Sequence, residues 1–174
     1  ALLEGFASLH ASGVRAQLVI TGPETADLRR DLGLVSRLGL TRWVSTPGEL
    51  SDSDLAALYR LSAGTCVLSA SEGFSLPVAE SLACGAPAIV AQGGSAAEVA
   101  GGAGLCVDPA DPDSVASGLR DALSRPRELP GPAPQLGAEP PLDRCPRLSE
   151  PAGQDLALAT PRLSPPRAPP PPTP

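Results

Sequence analysis

The chain has 174 residues, a formal net charge of −6 and 13 basic residues, all of them arginine and scattered along its length. That pattern excludes the basic stripe of a nucleic-acid surface, although backbone amides could still hold a local anion. Of its 22 prolines, 16 fall from Pro126 onward, which separates a folded unit over residues 1–125 from a Pro-rich tail over 126–174 that is expected to be disordered.

Leu2, Leu3, Phe6 and Leu9 recur at helical spacing from Ala1 to Ser12, and Gly13 is a natural stop. Gln17–Thr21 is a short apolar run with β-branched residues, ended by Gly22, and predicts a buried strand. A second helix is expected between Glu24 and Leu38, and a short strand over Arg42–Ser45. Ser51-Asp52-Ser53-Asp54 opens a third helix with a capping-box pattern, and Leu55, Leu58 and Leu61 form its expected apolar face. Gly64–Ser69 predicts the next strand. Pro77 begins a helix in its first turn, where a missing N–H costs nothing, and Gly85 ends it.

Ala88-Ile89-Val90 is a further strand, followed by Gly93-Gly94 and a one-turn helix read as capped by Ser95, with Glu98 in a capping role. Gly104–Val107 is another strand. Asp111 then caps a last helix from Pro112 to Ser124. Short apolar strands alternating with helices predict an α/β fold: a Rossmann-like parallel sheet with helices on both faces, its ligands outside the carboxyl ends of the strands.

Cys66, Cys84, Cys106 and Cys145 form no C-x-x-C pair, and the first three lie in apolar runs, so they are expected to be reduced, buried small hydrophobes. No apolar run approaches the ~18 residues of a membrane span, and no signal-peptide pattern opens the chain, so a cytoplasmic protein is expected. The start without Met, in mid-helix, suggests a fragment of a longer protein. In the tail, Pro165–Pro172 reads as a disordered end before it reads as a polyproline II ligand. The loss of hydrophobic periodicity there also fits a frameshifted terminus.

The chemistry concentrates between Val67 and Gly85. A strand ends at Ser69, and a loop brings Glu72 and then Gly73, where a ligand can approach the backbone. Phe74, Ser75 and Leu76 lead into the helix, whose free amides and dipole suit an anion such as a diphosphate. Glu80 lies one turn inside and leans back toward that end. Two carboxylates suit hydroxyls and not phosphates, so a ligand with hydroxyls at both ends and phosphates between them meets both demands. A sugar nucleotide has that layout. One histidine, His10, cannot assemble a Ser/His/Asp or metal-ligand set; it is expected to face solvent, with Trp43 and Tyr59 as packing residues.

The string Glu72-Gly73-Phe74-Ser75-Leu76-Pro77-Val78-Ala79-Glu80 resembles the E-x7-E motif of the GT-B-fold retaining glycosyltransferases, above all family 4. Asp54–Tyr59, Ser81-Leu82-Ala83-Cys84-Gly85-Ala86-Pro87 and Glu98–Pro109 extend the resemblance, which covers Ala1 to Ser124. It implies the carboxy-terminal, donor-binding half of a GT-B enzyme, hexosyltransferase in type. Glu72 would be the catalytic-site acid, holding hydroxyls of the donor sugar. The amides of Gly73, Phe74, Ser75 and Leu76 would face the sugar and distal phosphate. Glu80 would bind the ribose, and Val44 would contact the base.

The resemblance further implies a nucleotide-diphosphate-sugar donor and neither metal nor cofactor, with protein donors stabilising the leaving phosphate. The acceptor is unassigned, and peripheral membrane association would fall to the other half. The family's phosphate-gripping Arg and Lys would lie before Ala1, so weak donor affinity and negligible turnover are expected of these residues alone. Alternatives are a non-catalytic sugar-nucleotide-binding module and another GT-B enzyme, such as a sugar-nucleotide epimerase.

Overall fold

The computed structural model describes residues 1–69, 74–125 and 157–161, the last by backbone alone. Helices α1 (Leu2–Ala11), α2 (Ala26–Arg37) and α3 (Asp52–Leu61) alternate with strands β1 (Leu18–Thr21), β2 (Val44–Gly48) and β3 (Ser62–Val67). Helix α4 (Leu76–Ala83), strand β4 (Ala88–Ala91), helix α5 (Ser95–Ala100), strand β5 (Leu105–Val107) and helix α6 (Pro112–Ser124) follow, and β6 (Ala157–Pro161) is the last element among the described residues.

The sheet runs β2-β1-β6-β3-β4-β5. β1 and β2 pair in parallel, as do β3, β4 and β5, and β6 pairs antiparallel with both β1 and β3. The first five strands therefore share one direction, and all their carboxyl ends open at one edge. β3 and β4 are buried along their whole length, as strands covered on both faces must be. β2 is an edge strand and mostly exposed, which is where Pro47 can stand without breaking an inner ladder.

Two apolar clusters cover the sheet. One joins Leu3, Phe6 and Leu9 of α1 to Leu28 and Val35 of α2 and to Val115 and Leu119 of α6. The other joins Val78 of α4 to Ala96, Ala97 and Ala100 of α5 over Val67 and Val90. Helices thus stand on both faces, as the alternation of elements predicts. Side-chain caps form on three helices, at Ser51 and Asp111 as expected and also at Thr25. Thr25 Oγ1 accepts from the Leu28 amide, Ser51 Oγ from Asp54, and Asp111 Oδ1 from Asp113.

Several expectations change in detail. β6 makes the sheet mixed instead of wholly parallel. It also gives structure to five residues of the tail expected to be disordered, where an apolar Ala157–Thr160 stretch reaches Pro161 without another proline and pairs two strands that would otherwise present open edges. The remainder of that tail, with its polyproline run, lies outside the described residues. On α3 the buried side chain is Tyr59, while Leu61 is 63% exposed, because β3 begins at the next residue and turns the chain away. Gly94, not Ser95, stands at the amino-terminal cap of α5.

Cys106 is disulfide-bonded, so the four cysteines are not all reduced; Cys66 and Cys84 are free. Cys106 lies on the edge strand β5 and is only partly buried, whereas burial pushes the Cys66 thiol well up from its ordinary value and leaves it inert. His10 does not face open solvent. Its Nε2 donates to the Ala16 carbonyl at 3.1 Å, and its ring packs between Phe6 and Trp43. Trp43 is a packing residue, as expected, with the guanidinium groups of Arg15 and Arg42 over its ring.

Glycine sets how closely α6 can dock. A Cβ on Gly118 would stand 2.4 Å from Val107 Cγ1 and 3.2 Å from Ile89 Cγ2, and one on Gly5 would stand 2.6 Å from Val115 Cγ1. Overpacking costs about 1–3 kcal/mol and outweighs the roughly 1 kcal/mol that alanine adds to a helix interior. Gly118→Ala should therefore lower the urea midpoint. Gly33→Ala in α2, with nothing within 4 Å of its Cβ, should raise it. Equal shifts of one sign would refute this account of the packing.

His10 supplies a second test. Burial, as the largest cause, lowers its pKa below the ordinary 6.5; the nearby Arg15 charge lowers it too, against the Ala16 hydrogen bond. A lowered folded pKa means that the unfolded state binds the proton more tightly. The contribution is thus intact above about pH 6.5 and is lost as pH falls through the folded value. As the chain's sole histidine, its ring signals need no assignment, and an NMR titration should give a midpoint below 6.5.

Candidate donor site at the carboxyl edge

β3 delivers the chain to the carboxyl edge of the sheet, and α4 carries it back. The turn between them is where a doubly wound sheet binds ligands. Glu72 and Gly73 lie outside the described residues, so the structure does not test their expected roles. Ser75 is the amino-terminal cap residue of α4, and Pro77 sits in the first turn as the sequence predicts.

Around this turn the apolar and polar groups sort sharply. Phe74 and Leu76 are 44% and 61% exposed, forming an apolar lip at the start of the helix. Ser69 and Ser75 lie buried behind it, and neither hydroxyl has a hydrogen-bond partner among the described residues. Buried hydroxyls are nearly always paired, so two orphans flanking one loop distinguish this turn from the others. The Leu76 amide is turned back onto the Phe74 carbonyl at 3.1 Å, and the Ala79 amide bonds Ser75 O at 3.2 Å. Among the described residues, no backbone carbonyl accepts from the amides of Phe74 and Ser75. Of the four amides expected at an anion, these two retain that capacity within the described structure.

The rotation of α4 is set at Ser81, whose buried Oγ stands 2.8 Å from Thr65 Oγ1 on β3 and 3.1 Å from the Ala86 carbonyl in the turn to β4. With Ser81 facing the sheet, Glu80 falls on the exposed side, and its Oε2 accepts from Tyr59 Oη at 3.2 Å. Burial and then the Glu80 charge push the Tyr59 phenol far above its ordinary value, so it stays a donor. No signal in the sequence pairs Tyr59 with Glu80; the contact arises from α3 packing on α4.

Phe74, Ser75, Leu76 and Glu80 are thus gathered on one turn and its helix. Val44 is not with them. It is the first residue of β2, paired in register with Leu18 at the amino end of β1, whereas Thr21 and Gly48 form the pair at the carboxyl end. The parallel direction of the strands puts Val44 at the opposite edge from α4's amino terminus. Sequence reasoning located the strand but not which end of it meets the site. It also missed the Ser69 and Ser75 hydroxyls, which only burial reveals.

No group of three or more His, Cys, Asp or Glu side chains that could hold a metal occurs among the described residues, and no described helix is long and apolar enough to cross a membrane.

An α/β sheet with helices on both faces and the carboxyl ends of its five parallel strands at one edge places the domain in the Rossmann-like class. More particularly, the chain belongs to the family described as glycosyl transferases group 1, whose model matches residues 1–131. It is 41% identical over 99 residues to an MMP α-(1→4)-mannosyltransferase of Mycolicibacterium hassiacum, covering 55% of this chain and 24% of that protein. It is 36% identical over 124 residues to a D-inositol 3-phosphate glycosyltransferase of Rhodococcus opacus, covering 68% of this chain and 28% of that one. Among solved structures it is similar to the sucrose-phosphate synthase of Thermosynechococcus elongatus, with a TM-score of 0.61 and 27% identity over 71% of this chain and 33% of the synthase. The chain spans about a quarter of the length of these curated relatives.

The two classes of buried serine give opposite expectations. Ser81→Ala removes a hydroxyl that joins β3, α4 and the turn to β4, and should cost about 1–3 kcal/mol by leaving Thr65 and Ala86 short of a partner. Ser75→Ala removes a hydroxyl with no partner among the described residues, and should leave the thermal midpoint of the ligand-free protein unchanged or raise it. A large loss from Ser75→Ala would show that its hydroxyl supports the fold.

Proposed function

We propose that this chain binds the donor of a retaining glycosyltransferase, a nucleotide-diphosphate sugar, at the turn from β3 to α4. Glu80 accepts hydrogen bonds from the ribose hydroxyls, and Glu72 from hydroxyls of the transferred sugar. The amides of Phe74 and Ser75, with the positive end of the α4 dipole, attract the phosphates between them. As the bond between anomeric carbon and phosphate oxygen breaks, charge grows on that oxygen and is met by protein donors and not by a divalent cation.

The observation that carries this reading is the placement of Glu80: a carboxylate at the sheet's carboxyl edge, on the exposed side of α4, beside two buried hydroxyls that have no partner among the described residues. Family membership supports it, and the relatives' names as a mannosyltransferase and a glycosyltransferase supply the reaction type.

NMR titration of the chain with UDP-, GDP- and ADP-sugars tests the reading. One of them should perturb residues 74–80. A hydrogen bond to a charged group is worth about 1.5–3 kcal/mol, so Glu80→Ala should weaken that ligand roughly ten- to hundredfold. Unchanged affinity would remove Glu80 from the donor site.

A further inference from the structure

We propose that Tyr59 is a positioning residue for donor binding: its buried phenol holds the Glu80 carboxylate in the orientation in which the free oxygen accepts from a ribose hydroxyl. This rests on the reading of Glu80 as the ribose-binding acid.

Glu80 is exposed, and a free glutamate side chain samples many rotamers that binding must then restrict. Tyr59 removes much of that freedom in advance. Its ring is 3% exposed at the end of α3, has only two rotatable bonds, and is immobilised by its surroundings. Its Oη donates to one oxygen of the carboxylate, Oε2, at 3.2 Å. A phenol has a single proton, so this contact leaves the other oxygen, Oε1, with its lone pairs available to a ligand. A site group held by a rigid neighbour binds more tightly than the same group left to chance, because less ordering remains at the moment of binding.

The alternative is that Tyr59 merely fills the space between α3 and α4. Both roles need the ring, but only positioning needs the hydroxyl, so Tyr59→Phe separates them. The ligand pair is the tightest-binding of UDP, GDP and ADP and its 2′,3′-dideoxy counterpart, each titrated into the full chain. Wild-type protein should prefer the ribonucleotide. Y59F should weaken ribonucleotide binding about three- to tenfold while leaving dideoxynucleotide binding unaltered. A general loosening of the helices would weaken both ligands alike.

Tyr59 is the chain's only tyrosine, so its ring Cζ resonance reports on the hydroxyl without assignment and without mutation. It should shift on saturation with the ribonucleotide and stay in place with the dideoxy analogue; this measurement stands even if Y59F fails to fold. A full ribose preference retained in Y59F, or a Cζ signal indifferent to the ribose, overturns the positioning role while leaving Glu80 in the site. A wild-type chain with no ribose preference, or one that binds none of the three diphosphates, overturns the reading of Glu80 and the positioning role with it.

Discussion

The hydroxyl of Ser81 is a small contact on which the geometry of the carboxyl edge depends. It sits where β3, α4 and the turn into β4 converge, fully buried between Thr65 and the Ala86 carbonyl. A helix lying on a sheet by apolar contacts alone can roll, because dispersion is nearly indifferent to a few degrees of rotation. A buried hydrogen bond has a direction and resists that roll. With Ser81 turned to the sheet, the preceding residue, Glu80, must face outward and toward α3. Val78 then falls into the apolar layer with Ala96 and Val90. Packing and polar display are therefore two results of one rotational constraint.

Much of the architecture is legible in the residues because local signals and burial agree. Asp111 and Pro112 mark the start of α6, and Ser51 the start of α3, by hydrogen bonds that require only neighbours in sequence. What fails to be legible depends on distant partners. The orientation of His10 is set by Trp43 from another element, so an amphipathic pattern on α1 alone gives no sign of it. Val44 belongs to a correctly located strand, yet which end meets the ligand edge follows from the direction of the neighbouring strands. Leu61 keeps helical spacing with Leu55 and Leu58 but stands at the last residue of α3, where the chain turns off into β3. The disulfide at Cys106 likewise has no local signature.

The motif region shows the same division. Its residue types announce hydroxyl and phosphate recognition because carboxylates, glycine and a helix start have distinct chemical uses. Their supports are silent in the sequence. Tyr59 reads as one more apolar position, and Ser69 and Ser75 as ordinary small polar residues, until burial shows two hydroxyls without partners among the described residues. The identity of the groups that touch a ligand is thus easier to read than that of the groups holding them in place.

β6 has a consequence for the order in which the molecule can assemble. The pairs β1–β2, β3–β4 and β4–β5 each join strands separated by a single helix, so both parallel halves of the sheet can form from nearby chain. The seam between them pairs Ile20 and Cys66 alike with Leu158, near the far end of the chain. Closing such loops loses more chain entropy before any contact repays it, and contacts of long sequence separation slow folding. The sheet is therefore expected to grow as two halves and to be joined last, after the tail has left the site of synthesis. In folding terms the final strand is a latch, set only once both of its neighbours are in place.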